Sequence, residues 1–393
     1  MEEGEMRTKG GGMKKVSLCI AALSLVALSL SAAFAEDALK IGAIFSVTGP
    51  ASFLGEPEKN TALMLQDQIN AKGGVSGKKI ELIVYDDESD VNKAVLAADK
   101  LLKKDKVMAV IGPTTSGNTF AIEDKFEKAN IPLISCAAAE KIVKPVKKWV
   151  FKTPQSDRLA VMKIYDTLVA KKTKKIALIT VSDGFGQSGR EVLKELAPRM
   201  GLEIVADEVY GPKDTDMTAQ LTKIRGSGAG AIVCWGTNPG PAVIAKNRVQ
   251  LGMDIPLYMS HGVASKKFIE LAGSAAEGIM LPAGKLIVAD QIPGIDPQKA
   301  ILLKYIKDYE SRYKAPVSSF GAYAGDALTL VTKAVETGKS SNPADIRNSV
   351  EKTKGFVGIT GVFNFSPEDH NGLDENSFEM VVIERGDWKI IKK

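Results

Sequence analysis

The chain has 393 residues, with 52 Lys+Arg against 47 Asp+Glu for a formal net charge of +5, and only three cysteines and two histidines. That length suggests two domains, each with a sizeable core. So few cysteines and histidines leave no room for a disulfide scaffold, a four-thiolate zinc site or a His-rich metal site, and a small charge spread along the chain lacks the footprint of a nucleic-acid binder.

Met13-Lys14-Lys15 opens a basic stretch, Val16 to Leu30 is almost entirely apolar or small, and Ala33-Phe34-Ala35 places small residues at both positions a signal peptidase reads. This pattern predicts a secretory signal cleaved near Ala35, too short and wrongly flanked for a membrane span. Met1, Met6 and Met13 are each candidate starts. Residues 1–35 carry four basic and three acidic side chains, so the exported chain keeps +4. Cys19 lies early in the apolar run, away from any lipoprotein cleavage point. Export implies a periplasmic, oxidising setting, yet Cys136 and Cys234 stand at apolar strands and read as small buried residues rather than halves of a bridge.

From Leu39 onward, apolar strand-like runs alternate with amphipathic helical runs. Lys40–Phe45 reads as a strand and Glu56–Ile69 as a helix stopped by Gly73-Gly74. Lys79–Tyr85 is a strand, Asn92–Lys103 a helix, Val107–Ile111 a strand, Gly117–Lys128 a helix and Pro132–Ser135 a strand. This alternation predicts an α/β fold with parallel sheets. The pattern then restarts. Lys175–Ile179 resembles Lys40–Ile44, Ala231–Gly236 matches Met108–Gly112, and Ile255–Ser260 echoes Ile131–Ser135. Two similar α/β lobes follow. Ligands of open parallel sheets bind beyond the carboxyl ends of the strands, which here are the loops Pro113–Asn118, Ser135–Glu140, Gly236–Gly240 and Ser260–Ala264. If the lobes face each other, those loops line one cleft, with Trp235 beside it, and a hinge can close it.

Gly112–Asn118 follows a strand and opens a helix. Free N–H groups there, with the Ser116 hydroxyl, suit a carboxylate; a plain helix cap by Thr115 or Ser116 has the same geometry. Gly184-Phe185-Gly186-Gln187-Ser188-Gly189 matches G-x-G-x-x-G, with Asp207 and Glu208 beyond it, the fingerprint of a dinucleotide site. Against it, Ser182-Asp183 separates strand from glycine, and the Gly49–Gly55 loop of the first half lacks the pattern. Asp86–Asp90 is acidic but does not match an EF-hand loop, and reads as a solvated loop capping the next helix. There is no G-x-S-x-G elbow and no H-E-x-x-H, so no catalytic residue, metal site or cofactor is expected. His370 lies in a polar turn and reads as a surface residue. His261 falls in a predicted cleft loop, as a ligand contact or an ordinary half-buried histidine.

Lys40–Ile44, Gly49-Pro50, Asp67–Val75, Tyr85–Asp87 and Val110–Pro113 form a dense set. Together they resemble the periplasmic leucine/isoleucine/valine-binding proteins of ABC importers, over essentially the whole exported chain. The resemblance implies a type I periplasmic-binding fold: two Rossmann-like lobes joined by a three-stranded hinge, lobe 1 from 37–155 plus 285–362 and lobe 2 from 156–284 plus 363–393. It implies a non-enzymatic, monomeric protein that captures a branched-chain or other hydrophobic amino acid, or a related carboxylate, for a membrane ABC permease. By the same resemblance Ser116 holds the ligand carboxylate, a backbone group falls on Ala137, and a hydroxyl position falls on Ala139, which has none. Phe185 stands where amino-acid binders usually have tyrosine, Asn238 at a second tyrosine position, and Leu54 and Phe320 at apolar positions. The acid that pairs with the ligand ammonium falls on His261. A histidine cannot supply that negative charge, and an α-ammonium needs a carboxylate to offset its desolvation. This points to a carboxylate with an apolar or aromatic body, without the amino group. The competing classes are an exported oxidoreductase, resting on Gly184–Gly189, and the sensor lobe of a membrane receptor. A ligand-responsive repressor shares the fold, but a signal replaces its helix-turn-helix.

Overall fold

Leu39–Phe45 form strand β1, and all but Lys40 are buried, the near-continuous apolar run of a strand covered on both faces. In the computed structural model, which describes residues 1–4 and 38–392, β1 joins a parallel sheet with β2 (Ile80–Asp86), β3 (Ala109–Ile111), β4 (Leu133–Ser135) and β5 (Val150–Lys152), ordered β2-β1-β3-β4-β5. The expected signal, its cleavage site and Cys19 fall outside the described residues.

Between these strands run α1 (Ser52–Ala71), α2 (Val91–Lys100) and α3 (Ser116–Ala129). After α1 the chain reverses at Gly74 (φ +82), where a Cβ would sit 2.0 Å from the Lys78 carbonyl oxygen, so only glycine fits. Asp90 caps α2 by accepting from the Lys93 N–H. Where the sequence suggests one helix through Lys103, α2 instead gives way to a π-turn at Leu101–Asp105.

Past β5 the chain crosses to a second sheet through α4 (Asp157–Ala170). It then alternates β6 (Lys175–Val181), α5 (Gly184–Arg199), β7 (Glu203–Tyr210), α6 (Thr218–Gly226), β8 (Ala231–Trp235), α7 (Gly240–Gln250), β9 (Leu257–Met259), α8 (Lys266–Ala272) and β10 (Met280–Gly284). The chain then returns to the first sheet with α9 (Lys299–Tyr313), α10 (Ser319–Gly338) and α11 (Pro343–Glu351), and forms the small hairpin β11 (Phe356–Val357) and β12 (Val362–Phe363). It crosses again to end in β13 (Phe378–Glu384) and β14 (Asp387–Ile390), which add an antiparallel edge to an otherwise parallel sheet.

Read from β7, the second sheet runs β7-β6-β8-β9-β10, the order of β2-β1-β3-β4-β5 in the first. The three repeated sequence segments are therefore the equivalent strands β1 and β6, β3 and β8, β4 and β9. Each sheet is covered on both faces. Ile41 and Phe45 pack with Phe320 and Leu328 of α10, while Ile44 and Val110 pack with Ile122 and Phe126 of α3. In the second lobe Ile179 and Ile232 meet Leu221 and Ile244, and Leu178 and Val233 meet Ile164 and Leu193.

Cys136 and Cys234 are free and buried. His370 corrects a sequence reading: it is fully buried, stacked on Phe151 at 4.0 Å, with Nδ1 2.9 Å from the Val150 carbonyl and Nε2 3.2 Å from Glu351. Its neighbours in sequence are polar, but the turn is pressed against β5 from far along the chain.

Candidate functional site

The equivalent strands of the two sheets end at a common cavity of about 330 Å³, within the range of small-molecule sites. All four loops singled out by the repeat reach it, through Thr114–Asn118, Cys136 and Ala138, Thr237–Gly240, and His261-Gly262. Leu54 and Glu58 of α1 and Phe320 and Tyr323 of α10 close the first-lobe side, while Asp183–Phe185 and Tyr210 close the second.

One pole of the cavity is the start of α3. The Thr115 side chain accepts from the Asn118 N–H at 3.4 Å, so Thr115 is the cap. Ser116 is the first helical residue, 3% exposed, and its Oγ accepts the Ala139 N–H at 3.4 Å, leaving its own proton to donate elsewhere. The Ser116 and Gly117 N–H groups have no intrahelical acceptor, an arrangement that with the helix dipole suits an anion. The cap and the anion reading thus fall on different residues. Thr114 braces this end: its hydroxyl accepts the Ser46 N–H at 2.9 Å and donates to the Glu58 carboxyl. Burial above all holds the Glu58 carboxyl well above the usual carboxylate range, which favours its neutral form. Asn118 is fixed by donating to Asp87 at 2.8 Å.

The other pole belongs to the second lobe. Asn238 and His261 are buried, and neither the Asn238 amide nor either His261 ring nitrogen has a hydrogen-bond partner among the described residues. Burial, aided by the charge of Lys152, pushes the His261 pKa down to about 3, so its ring is neutral at pH 7. Phe185 sits edge-on to His261 at 5.5 Å, and Phe378 lies 5.4 Å from the same ring.

The structure brings Leu54, Ser116, Phe185, Asn238, His261 and Phe320 to the cavity wall and leaves three expected residues off it. The Ala137 N–H is taken by Ser135 Oγ at 3.1 Å. Ala139 is wholly buried in the first-lobe core. Trp235 lies one layer behind the wall, fully buried, with its ring 5.8 Å from Phe185 and 5.7 Å from His261. Sequence reasoning placed Thr114 in a cleft loop without giving it a role, and missed Glu58, Asp183, Tyr210 and Tyr323 as wall residues. Glu58 and Tyr323 were legible as the residues one helical turn beyond Leu54 and Phe320.

The G-x-G-x-x-G run turns out to serve packing. Asp183 caps α5, accepting the Gly186 N–H at 2.8 Å, and its carboxylate occupies the place a pyrophosphate would need. A Cβ on Gly186 would lie 1.8 Å from the Val181 carbonyl oxygen, and one on Gly189 2.0 Å from Trp235 Nε1. Asp207 is bound by Arg190 and Lys194. In the acidic run, Asp86 and Asp87 accept from Thr48, Ser46 and neighbouring backbone N–H groups.

The lobes touch around the cavity. Gly184 of α5 lies so close to Gly117 of α3 that a Cβ on it would be 3.2 Å from the Gly117 nitrogen. Arg158 of α4 binds Glu140 of the first-lobe loop at 2.8 Å and Glu195 of α5 at 2.8 Å.

A two-lobed α/β protein with a ligand-sized cavity between equivalent strand ends defines a class, and comparison with known proteins names it. Residues 38–386 match the model of the periplasmic binding protein family, and the chain belongs to that family, one of binding proteins and not of enzymes. The leucine-, isoleucine-, valine-, threonine- and alanine-binding protein of Pseudomonas aeruginosa is 26% identical over 376 residues, 95% of this chain and 96% of that protein. Among solved structures, an extracellular ligand-binding receptor from Rhodopseudomonas palustris is 29% identical with a TM-score of 0.85, covering 91% of this chain and all of that one. The branched-chain amino acid binding protein LivJ of Streptococcus pneumoniae, solved with isoleucine, is 28% identical with a TM-score of 0.80, over 91% of this chain and all of its own. No helix among the described residues is long and apolar enough to cross a membrane.

Proposed function

We propose that this chain is the extracytoplasmic solute-binding component of an ABC importer. It works as a monomer in the periplasm, captures a small apolar carboxylate between its lobes by hinge closure, and presents the closed form to a membrane permease. The ligand class is the branched-chain or other hydrophobic amino acids and related acids, in keeping with the names of its relatives. The lobes divide at 37–155 plus 285 to about 373 and 156–284 plus the remainder, later than the 362/363 boundary read from the sequence because Phe363, Phe365 and Leu373 pack in the first-lobe core; the three linking segments form the hinge. The observation that carries this reading is the start of α3, with buried Ser116 facing the cavity across from Phe185.

A second reading, a carboxylate without an amino group, is favoured by His261, whose neutral ring cannot balance an ammonium. A thermal-shift panel of amino acids, aliphatic and aromatic carboxylates, and NAD tests both, since a ligand at a hundred times its Kd adds about 2.7 kcal/mol. A contraction of the radius of gyration on binding marks hinge closure. Stabilisation by NAD alone, or by none of the panel, would sink the proposal.

A further inference from the structure

We propose that Glu58 meets the ligand as an uncharged acid and donates a hydrogen bond from Oε1 to a ligand oxygen, so that capture of a carboxylate requires Glu58 to hold its proton. This rests on the carboxylate reading above and adds a first-lobe contact to it. Glu58 lines the cavity and is 1% exposed. Its two oxygens differ. Oε2 accepts from the Thr114 hydroxyl. Oε1 has no hydrogen-bond partner among the described residues, yet it is not among the polar atoms sealed from solvent, so it keeps a small accessible surface on the cavity that Glu58 lines. The Tyr323 hydroxyl, on the same wall, is likewise without a partner among the described residues and likewise not sealed.

Thr114 decides which oxygen carries the proton. Its Oγ1 accepts the Ser46 N–H at 2.9 Å, and its own proton goes to Glu58 Oε2. A neutral carboxyl has one O–H donor, and with Oε2 accepting, that donor is Oε1. The surroundings keep the group neutral. The titratable groups around it are Asp87 at the end of β2, Cys136 after β4 and Tyr323 of α10, none of which becomes a cation. The charged side chains of α9 are engaged further along α1, Asp308 with Gln68 and Arg312 with Asp67. Asp326 of α10 accepts the Ile359 and Thr360 N–H groups. Across the cavity Asp183 caps α5, His261 is neutral, and Lys213 is exposed to solvent. An ionised Glu58 would be a buried charge without a counter-ion, which burial penalises.

The protonation state selects the partner. A donor at Oε1 suits an oxygen acceptor, and a charged one makes the bond stronger. An ionised Oε1 would repel the same carboxylate. Binding is therefore linked to one proton: above the Glu58 value, each pH unit lowers the affinity for a carboxylate by up to about tenfold. Glutamine reproduces the neutral acid, since its carbonyl oxygen can accept from Thr114 while its amide donates in place of Oε1–H.

The test is calorimetry on the full chain with isocaproate, phenylpropionate, leucine and phenylalanine from about pH 6 to about pH 9, a range that reaches the highest values known for buried glutamates. In the wild type, the compound that binds tightest should lose affinity toward the alkaline end and take up about one proton on binding there, counted in buffers of different ionisation enthalpy. Glu58→Gln should bind it within about threefold of the wild type near pH 6 and lack the alkaline loss. Glu58→Ala should bind about tenfold or more weakly. The readout is wild type minus Glu58→Gln, so that Asp157, Asp183 and the ammonium of the amino acids, which titrate in both, cancel. If Glu58→Ala fails to fold, as judged by its unliganded melt, Glu58→Gln and the proton count in the wild type carry the test. Wild-type affinity that holds up to pH 9 overturns the inference. So does an alkaline loss retained in Glu58→Gln, which would leave Glu58 only a brace for Thr114. Binding lost in a folded Glu58→Gln also overturns it, because Glu58 would then act as an anion facing a ligand cation. These three outcomes leave the carboxylate site standing, whereas binding by none of the four compounds overturns both.

Discussion

Replacing Ser116 with alanine separates two roles that share one helix end. Thr115 supplies the cap of α3 and Ser116 the open hydroxyl, so the two should fail differently when truncated. Ser116 is 3% exposed, and among the described residues the only partner of its hydroxyl is the long 3.4 Å contact from the Ala139 N–H. Little native stability is at stake in Ser116→Ala. A bound carboxylate would lose one charge-assisted hydrogen bond, about 1.5–3 kcal/mol, or roughly ten- to a hundredfold in Kd. Thr115→Ala removes the cap and should cost about 0.5–2 kcal/mol of stability, with a smaller effect on affinity. Calorimetric titration with the tightest acid of the panel gives the first quantity, and urea unfolding of the unliganded protein gives the second. If Ser116→Ala binds within about twofold of the parent and loses as much stability as Thr115→Ala, then α3 has two caps and no anion site.

Gly189→Ala must push a methyl group into Trp235 and should cost about 1–3 kcal/mol in urea unfolding; a neutral result would remove the packing account of the glycine motif. Arg158→Ala breaks the bridge from Glu140 to Glu195, which is only partly buried. It should weaken ligand binding a few-fold at low salt, about 1 kcal/mol or less, with the difference shrinking as salt rises, and an effect independent of salt would refute an electrostatic clamp. His261, held down to about 3, keeps the folded chain from taking up a proton that the unfolded chain binds below about 6.5. Its presence therefore lowers stability as pH falls through that window, by at most about 1.4 kcal/mol per pH unit. His261→Gln should lose that slope. Asp157 and Asp326, raised by burial, act in the opposite sense over an overlapping range, so the readout is wild type minus variant, and parallel curves would refute the assignment. His370→Leu should destabilise by about 1–3 kcal/mol, because the Val150 carbonyl and Glu351 lose a partner.

The strands were legible because parallel strands buried on both faces must read as apolar runs, and β1, β6 and β8 do. The cavity was legible because the repeat located equivalent strand ends, which fix where loops of two similar sheets converge. What escaped depends on side-chain direction. Ala139 and Trp235 lie in the right segments but point into the cores. His370 sits in a polar stretch yet owes its burial to Phe151, a neighbour that local sequence cannot reveal. Gly186 and Gly189 fit a phosphate-binding pattern, but their need for glycine comes from Val181 and Trp235, a reason no motif encodes. The antiparallel edge of β13 and β14 was also unread, because it depends on the chain returning to β10 from its carboxyl end.

Trp235 has no seat on the cavity wall, yet its indole is in van der Waals reach of two side chains that do. Its fluorescence is set by the electric field and packing around a ring that water cannot quench directly. A ligand that settles against Phe185 and His261 must alter that surrounding. The other two tryptophans, Trp149 and Trp388, do not line the cavity. The unmodified chain therefore carries its own optical readout, and could report its solute without a dye, a label or a coupled reaction.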